Sequence, residues 1–257
     1  MESQAPVVEQ KMNLPRFLLA LFIKPKQAFT QLDQTGRPHF LWPAIAMLVI
    51  IWLGPILTLP ITQREAAEGY ESMMGETSEK LTDVQRATLE QQREFSTSAV
   101  VLVASQGIIQ TIGYPILWAS AAGVLYLLSL AFGGQARFGS ILSMAVWASV
   151  AEILGKIMLV IGTLASGATP QPGLSYLVAT ESISAITPVS AALVQILSKI
   201  TIFDLWYLVL IGIGVVACAK VTRVKSTLIT ILYWLVSFIP PVTMAVISAA
   251  LTASMFG

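Results

Sequence analysis

An acid and a base lie four residues apart inside a long apolar stretch of this chain. Glu152 and Lys156 belong to the segment ASVAEILGKIM and are the only charged residues between positions 141 and 165. On a helix, residues four apart share one face, and an acid before a base is the favourable order. A charged side chain at the centre of a membrane span costs about 3 kcal/mol on insertion scales, so such residues usually have a role. The two side chains form the first candidate functional site.

Three interpretations of Glu152 and Lys156 remain open from the residues alone. Ala148, Gly155 and Gly162 share the helix face of Glu152, and small residues allow neighbouring helices to approach closely. This pattern favours packing within the bundle or contact with a partner subunit. The second interpretation is a translocation site for an ion or a solute, and the third is contact with lipid or the membrane interface.

The composition predicts an integral membrane protein. The chain has 257 residues, of which 55% are hydrophobic and 11% are charged, whereas a soluble domain has about 25% charged residues. Five apolar runs are long enough for a helix to cross a hydrocarbon core of about 30 Å. They lie at about 40–61, 106–132, 141–165, 203–221 and 226–250. The predicted fold class is therefore all-α, a polytopic membrane protein with five transmembrane helices.

The start of the first apolar run divides the chain into two regions. Residues 1–39 are predicted to be a cytoplasmic tail followed by two amphipathic interfacial helices, LPRFLLALFI and KPKQAFTQL. Residues 40–257 form the membrane domain. It includes a helical outer hairpin at 62–97, which carries eight acids and four bases, and an outer segment at 166–200. Within that segment, 182–198 is predicted to be an interfacial helix at the outer face or dipping into it.

The distribution of basic residues predicts the orientation. With five spans, nine bases fall on the N-terminal side of the membrane and five on the other. A sixth span at 182–198 would move Lys220, Arg223 and Lys225 to the outside. The positive-inside rule therefore favours five spans, with the N-terminus cytoplasmic and the C-terminus outside.

Enzyme chemistry has no support in the sequence. It contains no nucleophile elbow, phosphate loop or paired carboxylates in a span. The single histidine, His39, and the single cysteine, Cys218, leave no zinc site and no internal disulfide. We therefore expect a protein that is not an enzyme, that needs no cofactor and that has no nucleic acid partner.

Three short stretches of the chain carry a family resemblance: KPKQAFTQL, GGQARF and IFDLWYLVLIGIGVVACAKVTRVKS. The positions that carry it are Pro25, Phe29, Gly133, Gly134, Phe138, Asp204, Trp206, Leu210, Gly214 and Lys225. At these positions the sequence is similar to the Yip family, whose members carry the Yip-one domain. The resemblance implies a five-span membrane protein in a family named for eukaryotic members that bind Rab-type GTPases. From the residues themselves, Asp204 is expected at the outer edge of the fourth span, where an acid complements the helix dipole.

The departures from the eukaryotic pattern also carry an implication. Barely a dozen residues precede the first amphipathic helix, whereas eukaryotic members have a longer polar N-terminal region. The resemblance therefore implies a prokaryotic-type member in the plasma membrane and gives little reason to expect GTPase binding. Because some such relatives accompany ABC-type exporters, it implies an accessory subunit with an exporter of this type as candidate partner.

These observations predict a non-enzymatic membrane adaptor or accessory subunit that binds another membrane protein. A small transporter or channel that uses the Glu152/Lys156 site is the first alternative. A membrane-shaping protein that acts through the two N-terminal amphipathic segments is the second.

Overall fold

The computed structural model describes residues 14–34, 40–77, 83–178 and 188–256. These residues form eleven α-helices and a 3-10 helix at Ser175–Val178. The α-helices are α1 (Leu14–Ile23), α2 (Pro25–Gln34), α3 (Leu41–Thr77), α4 (Asp83–Ser96), α5 (Ala99–Ala131), α6 (Phe138–Ala148), α7 (Val150–Ser166), α8 (Pro188–Ser198), α9 (Ile202–Ala219), α10 (Arg223–Ser237) and α11 (Ile239–Phe256).

Five segments of the described chain are long and apolar enough to cross a membrane. They are Leu41–Ser72, Ala99–Ala131, Phe138–Ser166, Ile202–Ala219 and Arg223–Ala250. The third span consists of α6 and α7, which meet at Ser149, and the fifth consists of α10 and α11, which meet at Phe238. The prediction of an all-α membrane protein with five transmembrane helices is confirmed.

The outer hairpin is a continuation of the first span. Helix α3 has 37 residues, about 55 Å at 1.5 Å per residue, and therefore extends beyond a core of about 30 Å. Its outer part pairs with α4: Arg93 Nη2 lies 2.8 Å from Glu71 Oε1, and the Ser96 hydroxyl donates to Tyr70 Oη at 2.8 Å. The residues between these helices, 78–82, lie outside the described part.

The two N-terminal helices pack partly against the helix bundle. Phe17 and Leu21 of α1 and Phe29 of α2 are buried, and α2 packs against α6 and α9. The exposed side of these helices carries both apolar and basic residues: Leu19, Phe22, Ile23, Arg16, Lys24 and Lys26. One apolar side therefore contacts the bundle, and the location of these helices at the membrane interface stays a prediction.

The outer segment approaches the fifth span. Helix α8 packs against α11 and against the 3-10 helix. The first part of the predicted interfacial helix, 182–187, lies outside the described residues, as do the predicted tail at 1–12 and His39.

Candidate functional site

Lys156 binds partners on a neighbouring helix. Its Nζ donates to Gln110 Oε1 at 3.0 Å and lies 5.4 Å from the centroid of the Tyr114 ring, within the distance of a cation–π contact. Gln110 and Tyr114 are four residues apart on α5 and therefore share a face. The half-buried ammonium group joins the second and third spans.

Glu152 does not form a salt bridge with Lys156. In the described part of the chain, the ion pairs are Arg64–Glu68 and Arg93–Glu71. The charges that act on the half-buried Glu152 carboxylate are those of Lys199, Asp204 and Lys156. The two residues predicted from the sequence therefore lie in one polar region, but Lys156 donates its hydrogen bond to a residue of a different span.

Asp204 is the third residue of the fourth span, Ile202–Ala219. The preceding Phe203 lies against Gly155 of the third span, 3.1 Å from where a Cβ at that glycine would stand. The start of α9 therefore packs against α7, and the location of Asp204 at the outer edge of the membrane stays a prediction. The expectation that Asp204 complements the start of the helix agrees with the structure: its backbone N–H donates to Thr201 Oγ1 at 2.9 Å, and the Thr201 hydroxyl donates to the Asp204 carboxylate.

We call this region the polar cluster. It comprises Gln110, Tyr114, Glu152, Lys156, Lys199 and Asp204. Lys199 is exposed, whereas the other five members are partly buried. Sequence reasoning did not select Gln110 or Tyr114, although two polar side chains four residues apart in an apolar span are a signal that could have found them.

A second polar contact lies between α9 and α10. The hydroxyl groups of Tyr207 and Tyr233 are 2.8 Å apart, and both phenols lie within the electrostatic reach of Glu152. Two acids, two bases and several phenol groups could hold a proton or bind a small ion. Over the ranges that the structure describes, no group of three or more His, Cys, Asp or Glu side chains is placed to hold a metal ion.

A comparison with models of known protein families identifies the family of this chain. The model of the Yip1 domain matches residues 19–244. This chain belongs to the Yip1 domain family. The matched region contains all ten positions that carried the resemblance in the sequence, which we call the Yip1 motif residues. Neither the curated proteins nor the solved structures gave a match to the chain.

Several Yip1 motif residues build one junction, where the end of α5, the start of α6 and the end of α9 meet. Gly133 has a φ of 77°, which favours glycine. A Cβ at Gly134 would lie 2.8 Å from Ser129 O and 2.9 Å from Ala219 O. Lys225 Nζ donates to Phe132 O at 2.8 Å and so binds a free carbonyl at the C-terminus of α5.

The other Yip1 motif residues are mainly packing residues. Pro25 is the first residue of α2, where its missing N–H costs nothing. Phe29 and Leu210 are fully buried, and a Cβ at Gly214 would overlap the Met144 side chain. The absence of a side chain at Gly214 therefore allows α9 to pack closely against α6.

Two Yip1 motif residues contribute aromatic rings. Phe138, the first residue of α6, packs edge-on against Tyr126, with ring centroids 6.0 Å apart. Trp206 packs against the core, and its buried Nε1 has no hydrogen-bond acceptor among the described residues. Together with the junction, these contacts give most motif positions an architectural role.

Proposed function

We propose that this chain is a non-enzymatic accessory subunit that binds another membrane protein through its outer hairpin. The observation that carries the proposal is an exposed aromatic ring that follows two exposed acids on α4. Phe95 is 68% exposed, and the neighbouring Glu90 and Glu94 are exposed. Neither glutamate has an ion pair within the described chain. We call Glu90, Glu94 and Phe95 the hairpin surface.

The chemistry of the hairpin surface fits a protein interface. Aromatic residues dominate the binding energy of many interfaces when a partner pocket excludes water from them. Unpaired acids around the ring would guide a basic partner surface and favour correct orientation. The expected partner is therefore a membrane protein that has an apolar pocket bordered by Lys or Arg. This pocket lies on the same side of the membrane as the hairpin surface.

The polar cluster has a different role in this proposal. Because Lys156 is bound by Gln110 and Tyr114 of the same chain, its charge is satisfied without a partner. Lys156 then holds α5 and α7 together, and Glu152 and Asp204 contribute to the contact of α7 with α9. The proposed partner contacts lie outside the bilayer core.

The family resemblance supplies a specific candidate. An ABC-type exporter of a prokaryotic plasma membrane is the proposed partner, with the N-terminus of this chain cytoplasmic and the hairpin surface outside. The surplus of bases on the N-terminal side of the five spans supports this orientation.

Affinity purification from native membranes in mild detergent tests the proposal. We expect a stoichiometric membrane protein with the wild-type chain but not with an untagged control. The triple variant Glu90→Gln/Glu94→Gln/Phe95→Ala should lower its recovery at least about tenfold. The matched control is Gln91→Ala/Gln92→Ala, two exposed residues of the same helix, and it should retain the partner. Recovery of the chain alone in several detergents, or full recovery with the triple variant, would contradict the proposal.

The polar cluster supports a second candidate function, a small transporter or channel. The charges of Lys199, Asp204 and Lys156 act on Glu152, and one of these groups, Lys199, is exposed. In this case reconstituted vesicles would show a flux that Glu152→Gln abolishes and that the hairpin control Glu94→Gln leaves unchanged. Sealed vesicles that stay silent across ions and candidate solutes would count against transport.

A further inference from the structure

A groove of about 850 Å³ runs along the seam between α9 and α10. It does not overlap the polar cluster or the hairpin surface. Its wall is mainly apolar, and the side chains that form it include Leu205, Val209, Ile213, Val216, Ile231 and Trp234. Lys24 and Lys26, on either side of the first residue of α2, and Arg223, the first residue of α10, also line the groove. The groove therefore combines an apolar wall with one basic end.

The hydroxyl groups in the wall are already hydrogen-bonded. Ser226 Oγ donates to Gly212 O at 2.6 Å, Thr230 Oγ1 donates to Ser226 O at 2.9 Å, and Thr227 Oγ1 donates to Arg223 O at 3.0 Å. Side chains that bond back to their own or the adjacent helix have little left to offer a polar ligand. The wall therefore suits a hydrocarbon ligand better than a sugar or a peptide backbone.

The length of the groove matches one leaflet of a bilayer. Its α9 wall reaches from Leu205 to Val216, about 16 Å at a rise of 1.5 Å per residue. A hydrocarbon core is about 30 Å thick, so this wall covers about half of it. A ligand that fills the groove would extend from one membrane surface to near the bilayer centre.

The basic end is suited to an anion. Lys24, Lys26 and Arg223 are exposed, and none of them has an ion pair in the described chain. Arg223 opens α10, where the helix dipole and the free N–H groups also favour negative charge. Cations that line one groove without an acidic partner repel each other, and a bound anion would relieve that repulsion.

We propose that this groove binds one anionic diacyl phospholipid from the leaflet next to the α9–α10 connection. The phosphate lies at the basic end, among Lys24, Lys26 and Arg223, and an acyl chain lies along the α9–α10 seam. Basic pockets between transmembrane helices bind anionic headgroups in this way. The site acts independently of any partner at the hairpin surface, since the two lie on different elements.

Lipid titration of the delipidated full-length chain, followed by native mass spectrometry, tests the proposal. We expect phosphatidylglycerol to bind at least about tenfold more tightly than phosphatidylcholine. The variant Lys26→Gln/Arg223→Gln should lose this preference. The matched control Arg16→Gln/Arg137→Gln removes two exposed cations that do not line the groove, and it should keep the preference.

Two further measurements separate the lipid from other occupants. Val209→Trp, which places a large ring on the apolar wall, should weaken the binding of both lipids while thermal unfolding in detergent remains cooperative. Soluble glycerol 3-phosphate should fail to compete with phosphatidylglycerol at equal concentration. Equal affinity for the two lipids, equal losses in the variant and its matched control, or competition by the soluble phosphate would each overturn the proposal.

Discussion

At the scale of single residues, the tightest helix contacts depend on the absence of a side chain. Gly134 lies against the backbone carbonyls of Ser129 and Ala219, neither of which can rotate away as a flexible side chain would. The nearby Gly139, in the first turn of α6, has nothing within 4 Å of an added Cβ. Two glycines five residues apart in sequence therefore face opposite steric conditions.

We expect Gly134→Ala to destabilise the protein by about 1–3 kcal/mol, the usual cost of overpacking. Gly139→Ala should be neutral or slightly stabilising because alanine is the better helix former. Thermal unfolding of the two purified variants in one detergent measures the difference. Equal melting temperatures would show that the junction can open to accept a methyl group.

Helical spacing in the sequence predicted the helix face of Glu152, but it did not predict the partner of Lys156. Helical spacing placed Glu152 with Gly155, and that glycine does lie at a helix contact, against Phe203. The spacing also suggested that Glu152 would pair with Lys156. The lysine instead bonds to Gln110, 46 positions away, because another helix, α5, offers an acceptor within its reach. Periodicity within one helix contains no information about which helix that will be.

At the scale of elements, hydrophobic length was the most reliable guide. It predicted the five spans because a bilayer demands about 20 apolar residues from each helix. It could not predict that α3 continues to Thr77, with Pro55 and Pro60 inside it, since the outer part of that helix is held by contacts with α4. Amphipathicity also could not predict whether Phe29 contacts lipid headgroups or a helix bundle, and in the structure it is buried.

One contact between elements should control the order of the loop after the third span. Glu65 of α3 accepts from the Thr169 backbone N–H at 2.6 Å and from the Thr169 hydroxyl at 2.7 Å. Because Glu65→Ala removes both acceptors, we expect the amides around residues 167–174 to exchange hydrogen about fivefold faster, the equivalent of losing one net hydrogen bond of about 1 kcal/mol. Exchange followed by mass spectrometry measures this.

The control for that experiment is a second acid on the same helix. Glu71 pairs with Arg93 of α4, at 2.8 Å, so Glu71→Ala should leave exchange in the loop unchanged. If both variants accelerate exchange equally, the outer part of α3 has been loosened as a whole, and the contact with Thr169 has no specific role.

At the scale of the whole molecule, an odd number of spans places the two termini on opposite sides of the membrane. Five spans put the α9–α10 connection on the same side as the N-terminus and the outer hairpin on the other. A sixth span between 182 and 198 would move the α9–α10 connection to the outside. The groove and its basic end lie beside this connection, so the side it faces also decides which leaflet supplies the proposed lipid.

Single-cysteine labelling measures that side directly. In a Cys218→Ala background, Val224→Cys and Gln92→Cys introduce thiols at exposed positions, one after the α9–α10 connection and one on α4. With the predicted cytoplasmic N-terminus, an impermeant maleimide should label Gln92→Cys in intact cells and Val224→Cys only after permeabilisation. Labelling of both in intact cells would favour six spans, and the reverse pattern would show that the bases at the N-terminal side do not set the orientation.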